Sequence, residues 1–302
     1  MELCLGTVQF GMDYGINGKK KPTIKECMNC MEYAIAHGIK SIDTAAAYGS
    51  AEEIVGMFLK RTSVSREKLW ISSKLMPNIL DNVTPDKYRE TIRNELIKSL
   101  TKLGTEYLDA YYFHSSRYSF NIEMLDSLYE LQLEGLVRKI GVSIYEVDEA
   151  FACVESNKVS IIQALYSVFD HRMKINNIFK IAKLKGIEVD IRSAFLQGLV
   201  LKNRDTVPIR MKYTKELLDR LNVICNKYKI DPVVLALAYV KREKEISRLV
   251  FGIHSIEQLQ QNLFAFSIDV LYEILSEIDK EFQGIPREVI IPSLWGLNGN
   301  NK

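Results

Sequence analysis

At 302 residues the chain is longer than a typical single domain yet within the span of one α/β barrel, and a net charge of +2 with 26% charged residues leaves neither a basic stripe for nucleic acid nor an acidic tail. No apolar run approaches the roughly 20 residues of a membrane span, and the opening Met1 to Gly6 lacks the parts of a signal peptide. An odd number of cysteines, five, points to reduced thiols in a cytoplasmic protein; Cys27 and Cys30 have C-x-x-C spacing, but with Ile24, Met31 and Ile35 they form the apolar stripe of a helix.

Taken in order, the chain alternates strand with helix. A strand over 3–8 is followed by a glycine-rich loop and a helix that starts at an N-capping Thr23 and stops at Gly38. The apolar Ile42 then leads a short strand to Asp43, and Ala45, Ala46, Ala47, Tyr48 and Gly49 form a turn that no hydrophobic core requires. Helices are expected over 51–60, 85–103, 122–134, 147–155 and 176–184, and strands over 69–74, 107–114, 137–143, 161–166 and 187–193. A long loop leads to helices over 212–228 and 232–241, a strand over 247–252 and a helix over 255–266. Eight βα repeats without a break in composition predict one parallel sheet closed into a (β/α)8 TIM barrel, a single domain over 1–302. An extra helix over 269–282 and a tail rich in Gly, Pro and Asn are expected beyond it, the tail as a mobile segment on or near the barrel mouth.

In such barrels the chemistry sits at the carboxyl ends of the strands. The polar residues expected there are Thr7 and Gln9, then Asp43, Lys74, His114 and Ser143 on successive strands, Gln163 and Ser167, Arg192 and Ser193, and finally Gly252, His254 and Ser255. Asp43, Tyr48, Lys74 and His114 make a proton-transfer set. A phenol with an ordinary pKa of about 10 is a reluctant acid near neutrality, and a neighbouring ammonium lowers it by stabilising the phenolate. Lys74 supplies that ammonium, a carboxylate at Asp43 keeps it charged, and His114, as a donor, orients a carbonyl oxygen. Each residue alone has an ordinary reading as cap, surface charge, packing or core histidine; four together on adjacent strand ends favour chemistry.

These motifs resemble the aldo-keto reductase superfamily over nearly the whole chain. Ile42 to Gly49 with Glu52 and Glu53 is similar to that family's D-T-A-x-x-Y-G-x-x-E block, Ser72-Ser73-Lys74 to its lysine strand and Tyr112-Phe113-His114 to its histidine strand. Ile140 to Ser143 is similar to I-G-V-S-N, Ser193 to Gly198 to S-P-L-x-x-G, and Gly252 through Gln258 to Asn262 to its adenosine-binding pattern. The resemblance implies hydride transfer from NADPH, with NADH also admitted, to an aldehyde, a ketone or a sugar-derived carbonyl, with Tyr48 as general acid. It implies a cofactor-binding set of Thr7, Asp43, Ser143, Gln163, Arg192, Ser193, Phe195, Gln197, Gly252, Ser255, Gln258 and Asn262. Within that set Ser143 and Gln163 would hold the carboxamide, Ser193, Phe195 and Gln197 would wrap the pyrophosphate, and Gly252, Ser255, Gln258 and Asn262 would hold the adenosine end. No G-x-G-x-x-G follows a strand, so a dinucleotide has to be bound by the barrel itself.

Three positions depart from the family pattern: Ile144 replaces an Asn, Arg192 a tyrosine that commonly stacks on the nicotinamide, and Gln258 a base that many members direct at a 2′-phosphate, leaving His254 as the nearby cation. Phe10, Tyr14, Tyr118 and Trp295 are expected to wall the carbonyl pocket. The expected partner is a small-molecule carbonyl substrate, with no nucleic acid and no membrane. Two other readings stay open: a non-catalytic barrel that keeps the cofactor as a sensor or interaction module, and a metal-dependent lyase or hydrolase. The second needs a His/Asp/Glu cluster that only His114 and Asp43 begin to form.

Overall fold

Side chains alternate across each strand, so one set of residues packs outward on helices and the other fills the space the sheet encloses. The computed structural model, which describes residues 1–16 and 18–295, closes that sheet completely. Its strands are β1 (Glu2–Gly6), β2 (Ser41–Asp43), β3 (Trp70–Leu75), β4 (Leu108–Phe113), β5 (Val137–Ser143), β6 (Ile161–Leu165), β7 (Glu188–Arg192) and β8 (Arg248–Gly252). Neighbours in sequence pair in parallel, and β1 pairs with β8 from Glu2↔Arg248 to Gly6↔Gly252. The (β/α)8 barrel expected from the repeat is therefore the observed fold.

The helices are α1 (Val8–Gly11), α2 (Ile24–Ala36), α3 (Ala51–Arg61), α4 (Tyr88–Leu103), α5 (Ile122–Leu133), α6 (Val147–Glu155), α7 (Arg172–Ile175) and α8 (Ile178–Leu184). They continue with α9 (Lys215–Tyr228), α10 (Pro232–Lys241), α11 (Ile256–Ser267), α12 (Tyr272–Glu281) and α13 (Arg287–Ile290). Local chemistry sets their ends. Thr23 and Glu26 form a capping box at the start of α2, and Gly104, in the left-handed region at φ 63°, ends α4. Apolar faces such as Ile92, Leu96, Leu100 and Leu103 of α4 pack on outward strand residues such as Ile71, Tyr111 and Phe113 in one continuous core.

Two expectations change in detail. The segment expected as an open loop over 194–210 is a chain of short 3-10 turns that includes Leu196–Leu201 and Arg204–Thr206. The tail expected to be mobile is, up to Trp295, a pair of short helical turns with Val289, Ile290, Ile291 and Trp295 buried and the Trp295 indole donating to the Val289 carbonyl at 3.0 Å. Four apolar side chains anchor a stretch whose glycines and prolines had the look of a loop. Arg287 further pairs with Glu146, three residues beyond β5, and residues 296–302 lie outside the described residues.

The turn after β2 is held by backbone contact. Gly11 lies against the turn at Tyr48: a Cβ on Gly11 would sit 1.6 Å from the Tyr48 carbonyl oxygen and 2.7 Å from the Ala51 nitrogen. Neither backbone atom can yield without moving Tyr48. Gly11→Ala is expected to lower stability by about 1 to 3 kcal/mol, the usual cost of overpacking, and to displace Tyr48; thermal unfolding together with turnover checks this, and an unchanged Tm with unchanged turnover would contradict it.

Candidate active site

β2, β3 and β4 deliver their last residues to one end of the barrel. Lys74, whose side chain is 0% exposed, donates to Asp43 Oδ2 at 2.6 Å and to the Thr44 carbonyl at 2.9 Å. Asp43 Oδ1 accepts from Ser72 Oγ and from Gln163 Nε2, both at 2.9 Å, and the Asp43 carbonyl accepts from Thr7 Oγ1 at 3.0 Å. A buried ion pair is tolerable only when its remaining hydrogen-bonding capacity is filled, and side chains from β3 and β6 fill it here. On the outer face of β3, Ser73 Oγ donates to Glu52 of α3 at 2.6 Å, which ties the helix after the Tyr48 turn to the strand that bears Lys74.

Tyr48 and His114 meet edge to face, with ring centroids 5.7 Å apart, and the Lys74 Nζ lies 5.1 Å from the Tyr48 ring centroid. The four residues expected to act together are thus adjacent. Burial pushes the Tyr48 phenol well above its ordinary range and the Asp43 carboxylate adds to this, while the opposing cation is Arg192. Lys74 spends its hydrogen bonds on Asp43 and Thr44, with its charge 5.1 Å from the Tyr48 ring centroid. Tyr48 is therefore held protonated. Burial, with the charges of Lys74 and Arg192, pushes His114 down to about 3, so its imidazole is neutral at ordinary pH.

In front of these groups opens a cavity of about 890 Å³ that runs from Tyr48 and His114, past the loops after β1 and β7, to the start of α11. Thr7, Asp43, Gln163, Arg192, Ser193, Phe195, Gln197, Gly252, Gln258 and Asn262 line it as expected. Ser143 does not reach its surface, because the Arg192 guanidinium covers it: Arg192 Nε donates to Ser143 Oγ at 3.2 Å, Nη2 donates to the Ile144 carbonyl at 3.3 Å, and the group lies 4.4 Å from the Tyr145 ring centroid. Ser255 is the N-cap of α11, its Oγ accepting from the Gln258 amide, while Gln258 Oε1 accepts from the His254 amide at 2.8 Å. Of the aromatics expected to wall the pocket only Tyr14 does so. Phe10 and Trp295 are core residues, and Tyr118 donates to Asp81 at 2.8 Å and meets Phe113 edge to face.

Sequence reasoning missed Tyr145, Lys19 and Lys202 as lining residues, and gave Gln9 no role. Gln9 packs over Gly252, where a Cβ would lie 2.1 Å from its Oε1. An orphaned set of polar atoms tests what the cavity would hold. Gln9 Oε1, His114 Nδ1, Gln163 Oε1 and His254 Nε2 are buried without a hydrogen-bond partner, and all four residues line it. An amide acceptor beside Asp43 at one end and cations at the other suit the carboxamide and phosphates of a nicotinamide dinucleotide, so the residues present fit that cofactor.

The model of the Aldo/keto reductase family matches residues 2–280. The chain belongs to that family. Among its relatives, the NADH-specific methylglyoxal reductase of Escherichia coli K12 is 29% identical over 297 residues, 88% of this chain and 90% of that protein. The glyoxal reductase of Bacillus subtilis 168 is 30% identical over 207 residues, 68% of this chain and 71% of that protein. A solved aldo-keto reductase from Bacillus halodurans in its holo form shares the fold, with a TM-score of 0.75 at 22% identity over 93% of this chain and 91% of that one. This aldo/keto reductase is an NAD(P)H-dependent oxidoreductase that reduces carbonyl groups. Among the described residues no helix is long and apolar enough to cross a membrane, and no group of three or more His, Cys, Asp or Glu is placed to hold a metal ion.

The neutral histidine has a consequence for stability. An unfolded histidine titrates near 6.5, so between pH 6.5 and about 3 the unfolded chain takes up a proton that the folded chain refuses, and stability falls as pH falls through that window. His114→Asn removes this component. Its loss of stability between pH 7 and pH 4 should be smaller than that of the wild type by roughly 2 to 4 kcal/mol, measured by denaturant unfolding at each pH; equal losses in both proteins would contradict it.

Proposed function

We propose that the chain reduces a small aldehyde or ketone with NADPH, NADH being the alternative carrier, at the site made by Tyr48, His114, Lys74 and Asp43. The supporting observation is a protonated phenol and a neutral imidazole side by side at the inner end of the cavity, with the fully buried Lys74–Asp43 pair behind them. The bound cofactor supplies a hydride to the carbonyl carbon. Tyr48 gives its proton to the carbonyl oxygen, and the phenolate left behind is stabilised by the Lys74 ammonium near its ring and by Arg192. His114 donates an N–H to the same oxygen and fixes its direction; a neutral imidazole is too weak an acid to supply the proton itself.

Gln163 would hold the carboxamide, joined by Ser143 once the Arg192 guanidinium moves off its hydroxyl, and the loop after β7, where Ser193, Leu196 and Gln197 all have positive φ, would follow the pyrophosphate with Phe195. Gly252, Gln258 and Asn262 would take the adenosine, with Ser255 acting as the cap that starts α11. Gln258 is spent on His254, and Lys19 beside His254, with Lys202 in the same cavity, favours the extra phosphate of NADPH. The two relatives named for methylglyoxal and glyoxal support a small 2-oxoaldehyde as substrate, which suits the polar end walled by Tyr14, Tyr48, His114 and Tyr145. Five free, buried cysteines suit a cytoplasmic enzyme.

Tyr48→Phe is expected to lower turnover of a good aldehyde by about 10² to 10⁴-fold, the usual value of general acid catalysis, with cofactor affinity almost unchanged, and Lys74→Met should cause a comparable fall. Wild-type turnover in Tyr48→Phe, with the chemical step shown to limit the rate, would remove the assignment. Calorimetric titration should show binding of both reduced cofactors, NADPH more tightly; no binding of either at millimolar concentration would end the functional reading. Arg192→Tyr should improve affinity for the oxidised cofactor more than for the reduced one, because it removes a positive charge that opposes the nicotinamide cation. Equal changes for both forms would mean that Arg192 only packs.

A further inference from the structure

Beneath the site the barrel holds a second set of charges that the mechanism does not use. Arg248, at the start of β8, lies 3.5 Å from the centroid of the Trp70 ring and donates through Nη1 to Glu188 at 2.9 Å and to Asp190 at 3.1 Å. Lys139 pairs with the other oxygen of Glu188 at 2.7 Å. Asp190 is fully buried inside the barrel, and its second oxygen accepts from the Tyr112 hydroxyl at 3.0 Å. The Tyr112 ring, also fully buried, lies 5.9 Å from Lys74 Nζ. An unbroken column thus runs from Lys139 and Glu188 through Arg248, Asp190 and Tyr112 to the ammonium behind Tyr48.

We propose that Tyr112, Asp190 and Arg248 are positioning residues that hold the Lys74 ammonium charged and in place from the side of the barrel opposite the substrate. Lys74 donates to one carboxylate and one carbonyl, and its remaining surroundings are the rings of Tyr48 and Tyr112. A phenol that donates to a carboxylate has a more electron-rich ring, and a ring face attracts a desolvated cation. Asp190 adds its own charge, and Arg248 keeps Asp190 oriented toward Tyr112 and from collapsing onto Lys74. Burial pushes the Asp190 carboxyl up to about 7, so it is ionised at alkaline pH. The other ionisable groups that face this region are Cys4 on β1, Asp43 on β2, His114 beyond β4, and Glu188 and Arg192 on β7. From β5 and β6 the facing residues at this depth are Ser143, Ile161 and Gln163, which carry no charge.

The effect on catalysis rests on the proposed roles of Tyr48 and Lys74, so the test has two arms. In the first, the side-chain nitrogen signal of Lys74, assigned by its loss in Lys74→Met, is followed by NMR against pH in cofactor-free protein. Two unit charges on the order of 10 Å apart at an effective dielectric of about 20 interact by about one pH unit. Asp190→Asn should therefore lower the Lys74 midpoint by about one unit, and Tyr112→Phe, which keeps the ring and its volume but cuts the hydrogen bond, by less. Tyr111→Phe, at a neighbouring tyrosine on the outer face whose hydroxyl has no partner, should leave it in place. In the second arm the alkaline limb of the reduction rate should move down with the midpoint, while cofactor affinity stays the same. A midpoint unmoved in both Asp190→Asn and Tyr112→Phe overturns the inference, as does an equal movement in Tyr111→Phe. A midpoint that moves without the limb upholds the column and counts instead against Tyr48 and Lys74 as the proton-transfer pair. If Asp190→Asn does not fold, Tyr112→Phe decides.

Discussion

The Lys74–Asp43 ion pair is the constraint to which the rest of the barrel answers. An ammonium with no exposed side-chain surface has lost its hydration, and attraction to one carboxylate offsets that cost only if the carboxylate's remaining lone pairs are also hydrogen-bonded. Asp43 meets the condition by accepting from Lys74, Ser72 and Gln163 through its side chain and from Thr7 through its carbonyl. Those residues belong to β2, β3 and β6 and to the turn after β1, so one buried carboxylate fixes four parts of the sheet relative to one another. Loss of Lys74 would leave a charge unpaired in the interior and loss of Ser72 or Gln163 would leave the carboxylate short of a donor, which is why small polar residues occupy positions that a packed barrel would fill with Val, Ile or Leu.

Electrostatics at the cavity follows from that pair. Lys74 is paired with Asp43 and lowers His114, and the second positive group near the chemistry, Arg192, acts on three neighbours at once: it lowers His114 as well and works against the rise of Tyr48 and Tyr14. Its hydrogen bonds go to Ser143 and the Ile144 carbonyl, and its face to Tyr145. Ile144 contributes its backbone carbonyl to Arg192 while its side chain joins the core. The guanidinium thus occupies the space over the Ser143 hydroxyl.

The fold and the four central residues were legible because each depends on a local signal. Strand–helix alternation gives the barrel, and the position of a polar residue at the end of an apolar run gives the rim. What lay outside local signals was missed. Phe10, Tyr118 and Trp295 fall in or beside short helical turns that were expected as loops, and sequence does not show that Tyr118 is claimed by Asp81 and Phe113 or that Trp295 is claimed by the backbone of Val289. Lys19 and Tyr145 reach the cavity only because the loops after β1 and β5 fold inward. The place of Lys74 beside Tyr48 was legible, but the direction in which the ammonium spends its hydrogen bonds, on Asp43 and Thr44, is a property of packing.

Strand β4 shows how tightly core and site are bound to one register. Tyr111 and Tyr112 are consecutive and both fully buried, yet Tyr111 turns outward among the apolar residues of the helical layer with its hydroxyl unpartnered, while Tyr112 turns inward and donates to Asp190. Side chains alternate with period two, so a slip of one residue would exchange these fates. The slip would bring Tyr111 toward Asp190, expose Lys74 to the side chains that now face α4, and turn His114 out of the cavity. Apolar packing of Tyr111 and Phe113 and polar satisfaction of Tyr112 therefore select the same pairing, Ser72↔Ala110 through Leu75↔Phe113. The histidine needs no stabilising contact of its own to reach the site, since the residues before it have already determined which way it points.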